Sequence, residues 1–104
     1  MGRRIVHETL YDTDKATVVS TVGNWDTYES EHESYWEGIL YVTGKGNWFV
    51  EGAGGPATIF AREIDGAKFF SENILPISRG DALRMLERQK LWDVILKHFH
   101  IAEA

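Results

Sequence analysis

Apolar and polar positions are patterned most clearly on either side of one glycine turn. Residues 36–43 and 47–51 are two β-rich runs, Trp-Glu-Gly-Ile-Leu-Tyr-Val-Thr and Asn-Trp-Phe-Val-Glu, separated by Gly44-Lys45-Gly46. Glycines at that point supply the positive φ that tight hairpins demand, so the pattern predicts an antiparallel hairpin over 36–51. Gly52-Ala53-Gly54-Gly55-Pro56 is expected to break its second strand. Upstream, the groups Ile5-Val6 and Leu10-Tyr11 fit an edge strand or a small hairpin. Downstream, residues 57–64 form a short apolar element before the Asp65-Gly66 turn, and a further strand over 68–77 is interrupted by Asn73 and Pro76.

The C-terminal third changes period. Ser78-Arg79-Gly80-Asp81 resembles a capping box with Asp in the place of Glu or Gln, so a helix is expected to begin near Arg79 and to run, as a helical segment, over 79–99. At 100° per residue, Ala82, Met85 and Leu86 share one side, while Leu91, Trp92, Ile95, Leu96 and Phe99 share another, rotated by more than about 90°. A straight helix cannot bury both stripes on one sheet face. A bend or break between Arg88 and Leu91 is therefore expected, or else a second burial partner such as another copy of the chain held through Leu91, Trp92, Ile95 and Phe99. Residues 12–22 are undecided: Asp12, Thr13 and Asp14 offer helix N-cap oxygens, whereas Thr17-Val18-Val19-Ser20-Thr21-Val22 is rich in β-branched residues that lose χ1 freedom in a helix.

Length and composition narrow the class. A chain of 104 residues is expected to be a single domain over 1–104, and 43% apolar residues with only two prolines belong to a chain that builds a core. The absence of cysteine excludes disulfides, thiol catalysis and thiolate metal sites. The basic start Met1-Gly2-Arg3-Arg4 is not followed by an apolar h-region, and no apolar run reaches bilayer length, so a cytoplasmic protein without membrane attachment is expected. The net charge of −5 is local: residues 24–37 carry Asp26, Glu29, Glu31, Glu33 and Glu37 with no Lys or Arg, and the remaining residues balance at 11 acidic against 11 basic. One acidic patch thus repels nucleic acid and attracts basic partners.

Candidate chemistry is thin. The Gly52–Gly55 cluster lacks the Lys-Ser/Thr of a phosphate-binding loop and leads into Pro56, so turn geometry outweighs anion binding. His98 and His100 stand two apart and would not face one way on a helix; His32 between Glu31 and Glu33 matches no metal-loop spacing; Asp12 and Asp14 are explained by capping. The serines sit in no nucleophile elbow. No enzyme, cofactor or metal is expected. Tyr41, Trp48 and Phe49 of the hairpin could stack bases in a small nucleic-acid-binding module, yet only Lys45 lies beside them, and core packing is favoured. The acidic stretch is different in kind. Trp25, Tyr28, Tyr35 and Trp36 stand among its carboxylates, and aromatic anchors ringed by charge suit a surface that meets a basic groove.

Tyr11-Asp12-Thr13-Asp14-Lys15-Ala16, Leu40-Tyr41 followed by Gly46, Phe49, Gly52 and Gly54-Gly55, and Ile74-Leu75-Pro76-Ile77-Ser78 with Ala82 together resemble a group of small proteins of phages, plasmids and integrative elements. The shared pattern is Tyr-Asp-Thr, then a Leu-Tyr…Gly…Phe…Gly-x-Gly-Gly hairpin, then a Pro-Leu/Ile-Ser that opens a helix. The resemblance implies a helix over 13–20 and a mobile-element setting, in which short proteins often antagonise host defence such as CRISPR–Cas. This chain departs from the group in its acidic insert and in Trp48 beside Phe49. The combined expectation is an α+β fold: a four- to five-stranded antiparallel sheet centred on hairpin 36–51, covered by the C-terminal helical segment and a short N-terminal helix. Its expected role is that of a non-enzymatic, anti-CRISPR-like inhibitor. It would occlude a basic, nucleic-acid-binding surface of a host effector protein through Trp25, Asp26, Tyr28, Glu29, Glu31, Glu33, Tyr35, Trp36 and Glu37, without touching nucleic acid directly.

Overall fold

The computed structural model describes residues 2–104. The chain opens with a hairpin of β1 (Arg3–Val6) and β2 (Thr9–Asp12), followed by β3 (Thr17–Gly23), β4 (Trp36–Val42) and β5 (Trp48–Gly54). A short ribbon of β6 (Arg62–Ile64) and β7 (Ala67–Phe69) precedes β8 (Ser71–Ile77), and two helices, α1 (Arg79–Arg88) and α2 (Trp92–His98), end the fold. The architecture is α+β: a four-stranded antiparallel sheet in the order β3-β4-β5-β8, two small two-stranded sheets, and two C-terminal helices.

Alternation along the central strands sorts the side chains onto two faces. Leu40, Trp48 and Val50 point toward the helices and join Val22, Phe60, Ala82, Leu86, Ile95 and Phe99 in the main core. Tyr41, Phe49 and Ile74 point the other way, where Tyr11 of the N-terminal hairpin meets the Phe49 ring edge-on at 5.5 Å. Tyr41 stacks on the same Phe49 ring at 5.0 Å. The N-terminal hairpin thus covers one part of that face and leaves the rest open.

The expected N-terminal helix is absent. Residues 17–23 form β3, where pairing with β4 and complete burial of Val22 use the β-branched residues as a strand uses them. The caps attributed to a helix serve a turn instead: Asp12 Oδ1 accepts the Asp14 N–H at 2.9 Å, an Asx-turn. Thr13 Oγ1 accepts the Gly2 N–H at 2.9 Å and ties the chain's start to that turn. The glycine cluster does not break its strand either, because β5 continues through Gly54. Gly52 lies opposite Gly38, and a Cβ on Gly52 would stand 2.9 Å from the Phe60 ring that packs over it. Of the two turn glycines, only Gly46 uses positive φ (84°).

The helical segment breaks where its two stripes diverge. Ser78 Oγ accepts the Asp81 N–H at 3.0 Å and starts α1; Arg84 and Asp81 form the one ion pair among the described residues, and that contact holds the exposed Asp81 carboxyl below its ordinary range, with the Ser78 contact adding. At the far end the Leu91 N–H reaches the Leu86 carbonyl and the Lys90 N–H reaches that of Glu87, both at 3.0 Å, a Schellman motif. Leu86 and Leu91 supply its apolar contact. The break turns Ile95 and Phe99 into the core, with Phe99 stacked on Trp48 at 4.8 Å. Both residues are therefore withdrawn from the self-association surface that a straight helix would have offered.

Lys90 occupies the left-handed position of that motif at φ 57°, a conformation that strains any residue with a Cβ. Lys90→Gly is expected to stabilise the protein by about 0.5–1 kcal/mol, read as a raised denaturation midpoint with an unchanged denaturant slope. An unchanged or lowered midpoint would show that the turn carries no such strain.

Candidate functional site

The acidic stretch is an ordered loop whose two ends are pinned by one side chain. Asn24 donates from Nδ2 to the Ser34 carbonyl at 2.8 Å and accepts the Trp36 N–H on Oδ1 at 2.9 Å. Its own carbonyl accepts from the Thr27 and Tyr28 N–H groups, both at 3.0 Å, which curls the first turn. Farther round, the Tyr28 and His32 rings lie 4.5 Å apart, and His32 Nδ1 accepts the Ser34 N–H at 3.0 Å. Closely spaced ends and internal packing make this an Ω-loop. The glycine cluster seats it: the Glu33 carbonyl accepts the Ala57 N–H at 2.9 Å and lies so near Gly55 that a Cβ there would stand 2.4 Å from it. The Gly55 N–H is spent on the Tyr35 carbonyl at 2.9 Å. Gly54 and Gly55 are thus buried under the loop and make no anion cradle.

Beside the loop, the open part of the sheet forms a groove of about 590 Å³, lined among others by Trp25, Glu37, Ile39, Glu51, Ala53 and Glu72. The strand register builds it. Glu37 pairs with Ala53, and Ala53 pairs with Glu72, so two carboxylates flank a methyl floor across three strands. At the usual strand spacing their backbones stand about 10 Å apart. Glu51 lies one row along, opposite Ile39. Trp25 forms the wall: its ring lies directly over Gly23, where a Cβ would stand 2.4 Å from the indole. The Tyr35 hydroxyl donates to Glu37 Oε2 at 2.6 Å. That hydrogen bond raises the Tyr35 phenol above its ordinary pKa, with burial and the carboxylate's charge adding.

The structure therefore divides the expected contact residues. Trp25 and Glu37 share the groove, with Tyr35 bonded to Glu37. Glu29, Glu31 and Glu33 expose their side chains on the loop. Trp36 points to the opposite face, half-buried, with its ring 5.7 Å from Phe60 and packed against the main core. Asp26 and Tyr28 line, with Trp36, Arg88 and Gln89, a separate hollow of about 260 Å³ beside α1. Glu51 and Glu72 were not among the expected site residues, although alternation already sets Glu51 on one face with Phe49; only the register joins them to Glu37. The hairpin rings proposed for base stacking are in the two cores, Tyr41 at 6%, Trp48 at 5% and Phe49 at 0% exposure, and present no free face to a base. Among the described residues no group of His, Asp and Glu has the geometry to hold a metal ion, and no helix is long and apolar enough to cross a membrane. Comparison of the chain with protein-family models, with curated proteins and with solved structures finds no match.

Asn24→Ala removes the contacts that close the loop and is expected to cost about 1–3 kcal/mol. Cleavage by a glutamate-specific protease at Glu29, Glu31 and Glu33 should accelerate well before global unfolding; cleavage at the native rate would show that Asn24 does not hold the loop. The Tyr35 contact predicts a pH effect of definite sign. Its phenol pKa is raised by folding, so its stabilising contribution is complete at neutral pH and is lost as pH rises through the raised value. Ultraviolet titration of the wild type against Tyr35→Phe should reveal one tyrosine ionising late, and Glu37→Gln should bring it earlier.

Proposed function

We propose that this chain is a non-enzymatic binding protein that covers a basic, nucleic-acid-binding surface of a partner protein and blocks it. The motif resemblance supplies the setting: a mobile-element protein acting against a host defence effector, in the manner of an anti-CRISPR inhibitor. The observation that carries the reading is the run of exposed carboxylates on the Ω-loop, Glu29, Glu31 and Glu33, continuing through Glu37 into the sheet groove. None of these four is in an ion pair, the one such pair among the described residues lying on α1; Asp26 stands exposed on the side toward Arg88, and Glu51 and Glu72 at the groove's far side also line a hollow with Arg3 and Arg4.

Such a surface favours a partner rich in arginine or lysine. The space between Glu37 and Glu72 over Ala53 suits a guanidinium or ammonium group, and the Trp25 face offers a cation a second attraction. The loop carboxylates act at longer range, raising the encounter rate with a positive groove; that effect shrinks as salt shortens the screening length. Inhibition then follows from occupancy alone, because the nucleic acid and this protein compete for the same cations. The same charge disfavours direct contact with DNA or RNA.

The test uses immobilised protein to retain a partner from bacterial host lysate at low salt, with identification of what is retained. Replacement of Glu29, Glu31 and Glu33 by Lys should abolish retention, polyanionic heparin should release the partner, and the isolated protein should shift neither DNA nor RNA in gels. Undiminished retention by the charge-reversed variant, or a direct shift of nucleic acid, overturns the reading.

A further inference from the structure

Two apolar surfaces remain uncovered at separate places in the fold. The first is the β6–β7 ribbon. Asp65 and Gly66, at φ 52° and 81°, make the two-residue turn of a tight hairpin. Glu63 and Lys68 pair directly across one face, while Arg62, Ile64, Ala67 and Phe69 share the other. That is the pattern of a ribbon with one side meant for burial. Yet every residue of both strands is exposed, and Ile59 and Phe70 at its base are exposed at 70% and 60%. A ribbon of three-residue strands is marginal by itself in water, so packing on its apolar face would stabilise it.

The second surface is a hollow of about 320 Å³ on the outer side of the helix pair, lined by Leu83, Glu87, Trp92, Ile95, Leu96 and Ile101. Trp92 and Leu96 are 55% and 63% exposed there. We propose that the β6–β7 ribbon of one copy packs into the α1–α2 hollow of a second copy, in a two-fold dimer that makes the contact twice. The chemistry matches in both parts. Ile64 and Phe69 meet Trp92 and Leu96, and Arg62 beside Phe69 meets Glu87 in the hollow. The size is also sufficient. Seven exposed apolar side chains, at on the order of 100 Å² each, supply about 700 Å² per contact and about 1,400 Å² for the symmetric pair, within the range of specific interfaces. The two-fold arrangement makes the contact reciprocal and so closes the assembly at two copies, where the same contact made head to tail would run on as a filament. The dimer is independent of the acidic-surface reading and shares none of its residues.

Sedimentation equilibrium of the full chain over a concentration series should give a species of twice the 11.9 kDa chain mass. Phe69→Asp and Leu96→Asp should each give monomers with native circular dichroism and an intact melting transition. Mixed in equal amounts, these two variants should associate more tightly than either does alone and more weakly than the native chain, because the intact ribbon of the Leu96→Asp copy still fits the intact hollow of the Phe69→Asp copy while the second contact stays broken. Arg62→Glu and Glu87→Arg should each weaken the dimer, and their combination in one chain should restore it. A monomer throughout the series overturns the proposal. So does a dimer that survives Leu96→Asp, or one that Arg62→Glu and Glu87→Arg together fail to restore.

Discussion

The register of β4 against β5 is the constraint on which the rest of the structure depends. With Val42 opposite Trp48, every second residue of both strands is assigned to a face: Leu40, Trp48 and Val50 to the helices, Tyr41 and Phe49 to the N-terminal hairpin. A slip by one residue would exchange these sets and place Glu37 and Glu51 in the main core, where unpaired carboxylates are far too costly to bury. The same register puts Gly38 opposite Gly52, so the two strands and the Phe60 ring approach one another where side chains would collide. It also sets Glu37 opposite Ala53, and the β5–β8 register extends that row to Glu72. Core and groove floor are thus consequences of one pairing, and the β8 pairing adds the groove's far wall.

A four-stranded open sheet has two edges that invite further pairing, and this chain closes both with its own side chains. On β8 the Ile74 N–H is taken by Asn73 Oδ1 at 2.9 Å and its carbonyl by Arg4 at 2.6 Å, while Pro76 has no N–H to offer. On β3 the Gly23 N–H goes to Gln89 Oε1 at 2.9 Å and the Thr21 carbonyl to the Ser20 hydroxyl at 2.9 Å, and a bulge at 18–20 disturbs the rest. Asn73 and Pro76, which interrupt the strand pattern in sequence, are thus what an edge strand requires. Strand addition is disfavoured at these positions, which leaves the sheet's open face, the Ω-loop and the apolar surfaces of ribbon and helices for contact with other molecules.

Local signals were legible where local physics decides them. The 36–51 hairpin, the Ser78 cap and the break near Arg88–Leu91 each follow from residues within one turn or one ladder. What escaped depended on partners distant in the chain. The β-branched run at 17–22 was balanced against a convincing set of caps, and β4, which starts 13 residues after β3 ends, settled it as a strand. The glycine cluster read as a turn because nothing local announces that Phe60, Thr58 and the Glu33 backbone press against it. Within the acidic stretch, composition marked the charged loop, but Trp36 could not be told from Trp25. Only the strand assignment, which begins at Trp36, sends one indole inward and leaves the other on Gly23.

That separation of the two indoles explains why the loop can be both ordered and exposed. Trp36 anchors the returning end to the core through Phe60, and Asn24 clamps the departing end to it, so the carboxylates between them need contribute nothing to stability. Like charges crowded on a loop repel one another, and a loop without such anchors would relieve the repulsion by opening. Here the anchors lie at its base, in the ladder and the core, and the charge is held in a compact arc facing solvent. A partner that meets this arc finds the loop backbone already ordered, and the backbone entropy lost on binding is correspondingly small. Removing those charges should therefore leave the fold intact while changing what the surface attracts, a separation of stability from recognition that follows from where the two tryptophans point.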